Sequence, residues 1–320
     1  MSQYTHYSEI TPEIAEVIGK LPPYASNGDF KADRDAAHAM MQASLDAQKE
    51  FLPPDSAYLV KDHFLSVEGG EILLRSVTPT PQEGEQDTFP LLVWYHGGGW
   101  AVGDAIFDDY YLRGLSVELR VSILNVNYRL APENPFPVGH NDCFSALKWA
   151  AENALLLKAS LEKGFIVAGQ SAGGNLAGSV ALRAAEDPLF ERMAVPEKYQ
   201  SQLLSLEQNK DAPVVSKKAM ELVRGWLCAP PDDPVFSILL HPAHAKAPPT
   251  YIQVCGLDPL RDEGILYAKV IEEAGVRVKF DVYKGLPHAG HTMFPQLKVS
   301  KKFESDFRAH LLSLCPGPKQ

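Results

Sequence analysis

From residue 90 onward, apolar runs of strand length alternate with longer stretches of helical periodicity. The runs fall at 91–95, 121–126, 165–168, 251–255 and 276–282, and their length and content predict strands buried on both faces. Between and after them the spacing predicts helices over 108–119, 138–153, 172–185, 263–274 and 297–314. Strands alternating with helices in this way define an α/β fold, with a mostly parallel central sheet covered by helices on both faces.

The chain ahead of this region reads differently. Strand-like runs at 57–67 and 71–77, followed by a loop at 78–89 rich in Pro, Glu and Gln, predict an opening antiparallel hairpin. Helical spacing recurs at 11–21, with Ile14, Val17, Ile18 and Leu21 on one face, and at 32–51, with Ala36, Met40 and Leu45 on one face. Residues 186–234 are polar and helical or irregular. We expect one domain over 1–320, with a small helical cap drawn from 1–52 and 186–234.

Composition narrows the function classes. Forty acidic against thirty basic side chains give a formal charge of −10, which repels nucleic acid and anionic lipid surfaces. No apolar run near the N-terminus has the length of a signal peptide or membrane span, which predicts a cytoplasmic protein without stable membrane association. Cys143, Cys228, Cys255 and Cys315 show no paired spacing, so buried free thiols are expected rather than a zinc or redox motif.

The sharpest chemical signal is Gly169-Gln170-Ser171-Ala172-Gly173-Gly174, which follows a predicted strand and opens a predicted helix. A serine on so tight a turn needs small neighbours, because its backbone is strained and its hydroxyl must project clear of the chain. The alternative is an ordinary glycine-rich turn at a helix start. The second signal, His96-Gly97-Gly98-Gly99-Trp100, ends the strand at 91–95. Unobstructed backbone N–H groups there suit the negative charge that develops on a carbonyl oxygen in acyl transfer. A phosphate loop is the competing reading, but neither G-x-G-x-x-G nor a Lys-Ser/Thr pair is present. His96 itself is expected to be structural.

In folds of this kind an acid and then a histidine follow the nucleophile, each on a loop after a later strand. Asp258 and His288 occupy such positions. His291 is a rival base, and helix capping is a rival role for Asp258, with Asp262 the expected cap.

Together these segments resemble the hormone-sensitive-lipase family of α/β-hydrolase-fold esterases, in a branch similar to fungal esterases, from about residue 57 to the C-terminus. Tyr128-Arg129-Leu130-Ala131-Pro132-Glu133 resembles the family's segment between the glycine loop and the serine, and 258–263 resembles the segment carrying its acid. The resemblance implies a Ser171, His288, Asp258 triad working through a covalent acyl-enzyme. Gly98, Gly99 and Ala172 would donate to the oxyanion, Gly97 would shape the turn, and no metal or organic cofactor would be required. The resemblance to the fungal branch implies a small-molecule ester such as an acylated secondary metabolite, and a short acyl chain is expected because no exposed amphipathic stretch suggests a lipid-interface lid.

Three departures stand out. Gln170 and Asn127 replace aspartates common in the family, and the strand usually found between the serine helix and the acid is not evident. We expect strands 165–168 and 251–255 to pair directly, or a substitute strand from 212–240 to lie between them. A sheet left open, with Asp258 more than one water away from His288, would favour the alternative, a catalytically impaired scaffold acting as a small-molecule receptor or interaction protein.

Overall fold

A computed structural model describes residues 3–21, 29–49, 52–185 and 203–314. In chain order the elements begin with α1 (Pro12–Ile18), α2 (Phe30–Gln48), β1 (Tyr58–Val67), β2 (Gly70–Pro79), β3 (Leu91–Tyr95) and α3 (Asp109–Leu119). Next come β4 (Ser122–Asn127), α4 (Val138–Glu152), β5 (Phe165–Gly169) and α5 (Ala172–Ala185). The last are α6 (Ser205–Gln208), α7 (Lys217–Leu227), β6 (Thr250–Leu257), α8 (Arg261–Glu273), β7 (Val278–Pro287), α9 (Gly290–Met293) and α10 (Lys298–Leu311). They fall into two compact units.

The first unit, Phe30–Ala184 with Trp226–Ala229, holds a sheet of order β1-β2-β4-β3-β5. β1 and β2 form the expected hairpin, with Tyr58 opposite Pro79 and Val67 opposite Gly70. β3 runs parallel to β4 and β5, whereas β2 meets β4 antiparallel. All five residues of β3 are buried, which is why this strand reads as an unbroken apolar run. Leu91, Val93 and Tyr95 pack with Cys143 and Ala146 of α4 and Leu176 and Val180 of α5, while α3 lies against β2 and β4. Each leucine buried this completely contributes about 1.5–3 kcal/mol relative to exposure.

The second unit comprises Met1–Asp29, Ala185–Gly225 and Pro230–Leu311. Its sheet has two parallel strands, β6 and β7, in register from Thr250 opposite Val278 to Leu257 opposite Pro287. Cys255, Tyr283 and Leu286 pack against Phe303 of α10. Ile14 of α1, capped at its start by Thr11, joins Phe294 and Leu297 in a neighbouring cluster.

One expectation, on strand pairing, fails here: among the described strands β5 and β6 belong to separate sheets, and no substitute strand arises from 212–240, where part of the stretch is α7 and part a short 3-10 turn, Ile238–Leu240. Val235–Leu240 is apolar enough for a strand, but turns use its polar groups first. The Asp233 carboxylate accepts from the Val235 amide at 2.8 Å, and the Asp233 carbonyl accepts from Phe236 and Ser237 at 3.1 and 2.7 Å. The cost of buried unpaired strand edges that motivated the expectation is also reduced, because only Ile166 of the five β5 residues is buried. Cys228 is exposed, against the expectation of buried thiols, while Cys143 and Cys255 are buried. Residues 186–202 and Cys315, which earlier expectations included, lie outside the described residues.

Candidate active site

The turn between β5 and α5 puts Ser171 in the left-handed region at φ 57°. For a residue with a Cβ this costs roughly 1–2 kcal/mol, a strain the surrounding contacts must hold in place. They do so through backbone bonds closing the turn: Gly173 N–H donates to the Gln170 carbonyl and Gly174 N–H to the Ser171 carbonyl, both at 2.9 Å. Gly173 has to be glycine, since a Cβ there would lie 1.9 Å from the Tyr95 carbonyl oxygen. Strand β3 therefore comes close under the serine turn, and the end of β3 leads directly into the glycine loop.

That loop touches the serine turn. A Cβ placed on Gly97 would lie 3.1 Å from the Gln170 carbonyl and 3.6 Å from Ser171 Cβ. Gly98, Gly99 and Trp100 all take positive φ, at 115°, 59° and 58°, and Ala101 and Val102 donate back to the Gly98 carbonyl. None of the backbone hydrogen bonds of either turn uses the N–H of Gly98, Gly99 or Ala172. These three groups are the ones that the family resemblance implies as oxyanion donors.

His96 is fully buried, and its Nδ1–H donates to the Gly97 carbonyl at 2.7 Å. Burial pushes its pKa down to about 4, so it is a neutral brace inside the loop. Tyr128 supports it from below: its ring stacks on the imidazole at 4.3 Å and its hydroxyl donates to the His96 carbonyl at 2.9 Å. Ala131 N–H donates to the Trp100 carbonyl at 2.9 Å. The Tyr-Arg-Leu-Ala-Pro-Glu segment thus holds the glycine loop, a role that its sequence did not disclose. Arg129 of the same segment is anchored by Asp142, which accepts from its Nε and Nη2 at 2.9 and 2.7 Å. Asn127 accepts from the Ala105 amide through its amide oxygen at 3.1 Å.

In the second unit Asp258 and His288 meet. His288 Nδ1–H donates to Asp258 Oδ2 at 2.7 Å, while Asp258 Oδ1 accepts from the Leu260 amide at 2.8 Å. The two residues follow the adjacent parallel strands β6 and β7, whose pairing brings their loops together. Burial alone would lower the His288 pKa, but the Asp258 charge and hydrogen bond outweigh it and raise the pKa above the ordinary value. With Nδ1–H donating to Asp258, Nε2 is the basic atom of the neutral imidazole.

His291 is arranged otherwise. It stacks on Phe303 at 4.0 Å, its Nε2 is 3.8 Å from Glu304, and burial with the neighbouring His288 charge lowers its pKa to about 3. Asp262 is not the helix cap that was expected. It sits inside the first turn of α8, paired at 2.9 Å with the fully buried Arg261, and accepts from the Leu204 amide. A buried guanidinium demands a carboxylate more strongly than a helix end does. Asn209, which no motif signalled, holds the acid's own backbone by donating to the Asp258 carbonyl at 2.8 Å. Among the described residues no cluster of three or more His, Cys, Asp or Glu side chains could hold a metal, and no helix is long and apolar enough to cross a membrane.

A strained serine beside a glycine loop, and an Asp-His pair at the ends of two parallel strands, are features of alpha/beta hydrolases. The chain matches the family of alpha/beta hydrolase fold over residues 92–292. It is 33% identical over 277 residues to the versiconal hemiacetal acetate esterase of Aspergillus parasiticus, covering 81% of this chain and 83% of that one. The crystal structure of vibralactone cyclase is similar with a TM-score of 0.90 and 36% identity, covering 97% of this chain and 96% of that one. A bacterial heroin esterase is similar at 0.81 and 30%, covering 98% of this chain and 100% of that one. The chain belongs to the alpha/beta hydrolase fold family. Within it, the chain is an esterase of the hormone-sensitive-lipase type, with fungal esterases among its relatives.

Proposed function

We propose that the protein hydrolyses short-chain carboxylic esters through a covalent acyl-enzyme, with Ser171 as nucleophile, His288 as general base and Asp258 as its orienting acid. The observation that carries this reading is the Asp258–His288 hydrogen bond of 2.7 Å in one unit, together with a nucleophile turn in the other whose closing backbone bonds do not use the Gly98, Gly99 or Ala172 N–H. In the first half-reaction His288 Nε2 takes the hydroxyl proton as Ser171 Oγ bonds to the ester carbonyl carbon. The electron pair moves to the carbonyl oxygen, where Gly98, Gly99 and Ala172 N–H groups stabilise it. Collapse of this intermediate breaks the bond to the alcohol oxygen, which receives the proton from His288. Water then attacks the acyl-enzyme with His288 again as base, releasing the carboxylic acid and restoring Ser171.

Among the described residues the amphipathic helix α7 turns Met220 and Leu227 inward, and both are buried, which argues against a lipid-interface face there. We therefore expect p-nitrophenyl butyrate to be turned over faster than an emulsified long-chain triglyceride, and the reverse order would overturn the substrate class. The acetate-ester relative supports a small acyl group on a secondary metabolite as the natural target.

The base assignment has its own test. Because His291 stays neutral down to a pH near its pKa of about 3, it contributes no ionisation near neutrality. His291→Ala is expected to keep kcat within about threefold and leave the acidic limb of kcat/KM in place, whereas His288→Ala loses about 10⁴-fold. A pH-rate profile of the two variants with p-nitrophenyl butyrate decides it, and collapse of the His291 variant with survival of the other would exchange their roles.

A further inference from the structure

The N-terminal residues 4–9 lie against the ends of both strands that carry the acid and the base. They form a short 3-10 turn, Thr5–Ser8, ahead of α1. Gly256, two residues before Asp258, faces this segment so closely that a Cβ would lie 2.2 Å from the Tyr7 carbonyl oxygen. Gly285, three residues before His288, faces it likewise, with a Cβ 2.5 Å from the Glu9 carbonyl oxygen. Glycine at both places permits one strap of backbone to span the two loops. The exposed Glu9–Lys284 ion pair closes its far end.

The strap's polar contacts converge on Ser8. Its hydroxyl lies 2.9 Å from Asn209 Oδ1 and 3.1 Å from the Gly256 carbonyl, either of which can take its one proton. It accepts in turn from Arg261 Nη1 at 2.7 Å. Asn209 passes the link onward by donating through Nδ2 to the Asp258 carbonyl. Arg261 is fully buried, and its other terminal nitrogen donates to Gln208 at 2.8 Å. Ser8 therefore supplies an acceptor to the buried Arg261 cation and orients the amide that holds the Asp258 backbone.

We propose that residues 4–9 are a positioning element for the Asp258–His288 pair, acting through the Ser8 hydroxyl. Ser8 is a positioning residue: it acts on the acid through Asn209, whose amide donates to the Asp258 carbonyl. This inference rests on the triad reading for its effect on turnover, but its effect on the His288 imidazole can be read without turnover. Small displacements of a reacting group cost large factors in rate even when binding is intact.

The test compares wild type, Ser8→Ala and Ser8→Thr in the full chain, by p-nitrophenyl butyrate kinetics and by NMR titration of the His288 ring. Ser8→Ala should lower kcat about tenfold with KM unchanged. It should also move the His288 pKa downward, because a loosened Asp258 no longer offsets burial, and Ser8→Thr should restore both. A Ser8→Ala protein that is merely less stable, with kcat and the His288 titration as in wild type, would overturn the proposal. Should Ser8→Ala not fold, Asn209→Ala cuts the same link and is read by the same two measurements. If His288→Ala retains wild-type turnover, the triad reading fails, and the NMR titration of the Ser8 variants still decides whether the strap positions the pair.

Discussion

Ser171→Ala is expected to lower kcat for p-nitrophenyl butyrate by at least about 10⁴-fold, leaving only the residual acceleration that binding and oxyanion donors supply without a nucleophile. The substitution removes a single oxygen from a turn whose shape is set by its backbone. Gly173 and Gly174 close it through main-chain bonds, and β3 passes beneath it too closely for any side chain at position 173. Alanine at 171 keeps a Cβ at φ 57°, so the strain is unchanged and the variant should melt within a few degrees of wild type. Circular dichroism melting and steady-state kinetics on the same preparation separate lost chemistry from lost fold. Turnover at wild-type rate would remove Ser171 from the reaction.

Asp258→Asn is expected to cost a similar factor for a different reason. The carboxylate accepts from His288 Nδ1 with one oxygen and from the Leu260 amide with the other. An amide at this position can present its NH₂ to Nδ1, which favours the wrong tautomer and leaves Nε2 protonated. The pH dependence should change as well. In wild type the His288 pKa is raised, so the base is neutral and kcat/KM is full above that pKa and falls as pH drops through it. The acidic limb should then lie above about 6.5, the ordinary histidine value. With the charge of Asp258 removed, burial acts on the imidazole unopposed, and what activity remains should fall off at lower pH than in wild type. A limb that does not move would place the controlling ionisation elsewhere.

How much of this was legible in the sequence depended on whether an interaction leaves a local trace. Strand β3 could be bounded from Leu91 to Tyr95 because full burial on two faces shows as an unbroken apolar run. The serine turn was legible because its strain and close approach to β3 require glycines at fixed offsets. Asp258 and His288 stood out by following strand-like runs in the right order. Asp262 was misread because an aspartate at a helix start has the same local pattern whether it caps the helix or neutralises a buried arginine. The apolar run before Leu240 was misread because a preceding Asp233 turn, not hydrophobicity, decides its backbone bonding. Ser8 and Asn209 left no trace, since their partners lie 201 to 253 residues away or between separate elements of the second unit. The two-sheet arrangement was likewise hidden, as strand pairing is a long-range choice that apolar content alone does not encode.

The central claim is that Ser171 is an activated nucleophile served by His288. The most direct measurement is labelling of the full chain with a fluorophosphonate, followed by mass spectrometry of the modified peptide, in wild type and in His288→Ala. The account predicts one stoichiometric adduct on Ser171 in wild type, formed at least about 10³-fold more slowly once His288 is removed. Absence of an adduct on Ser171, or labelling that proceeds equally fast without His288, would contradict it.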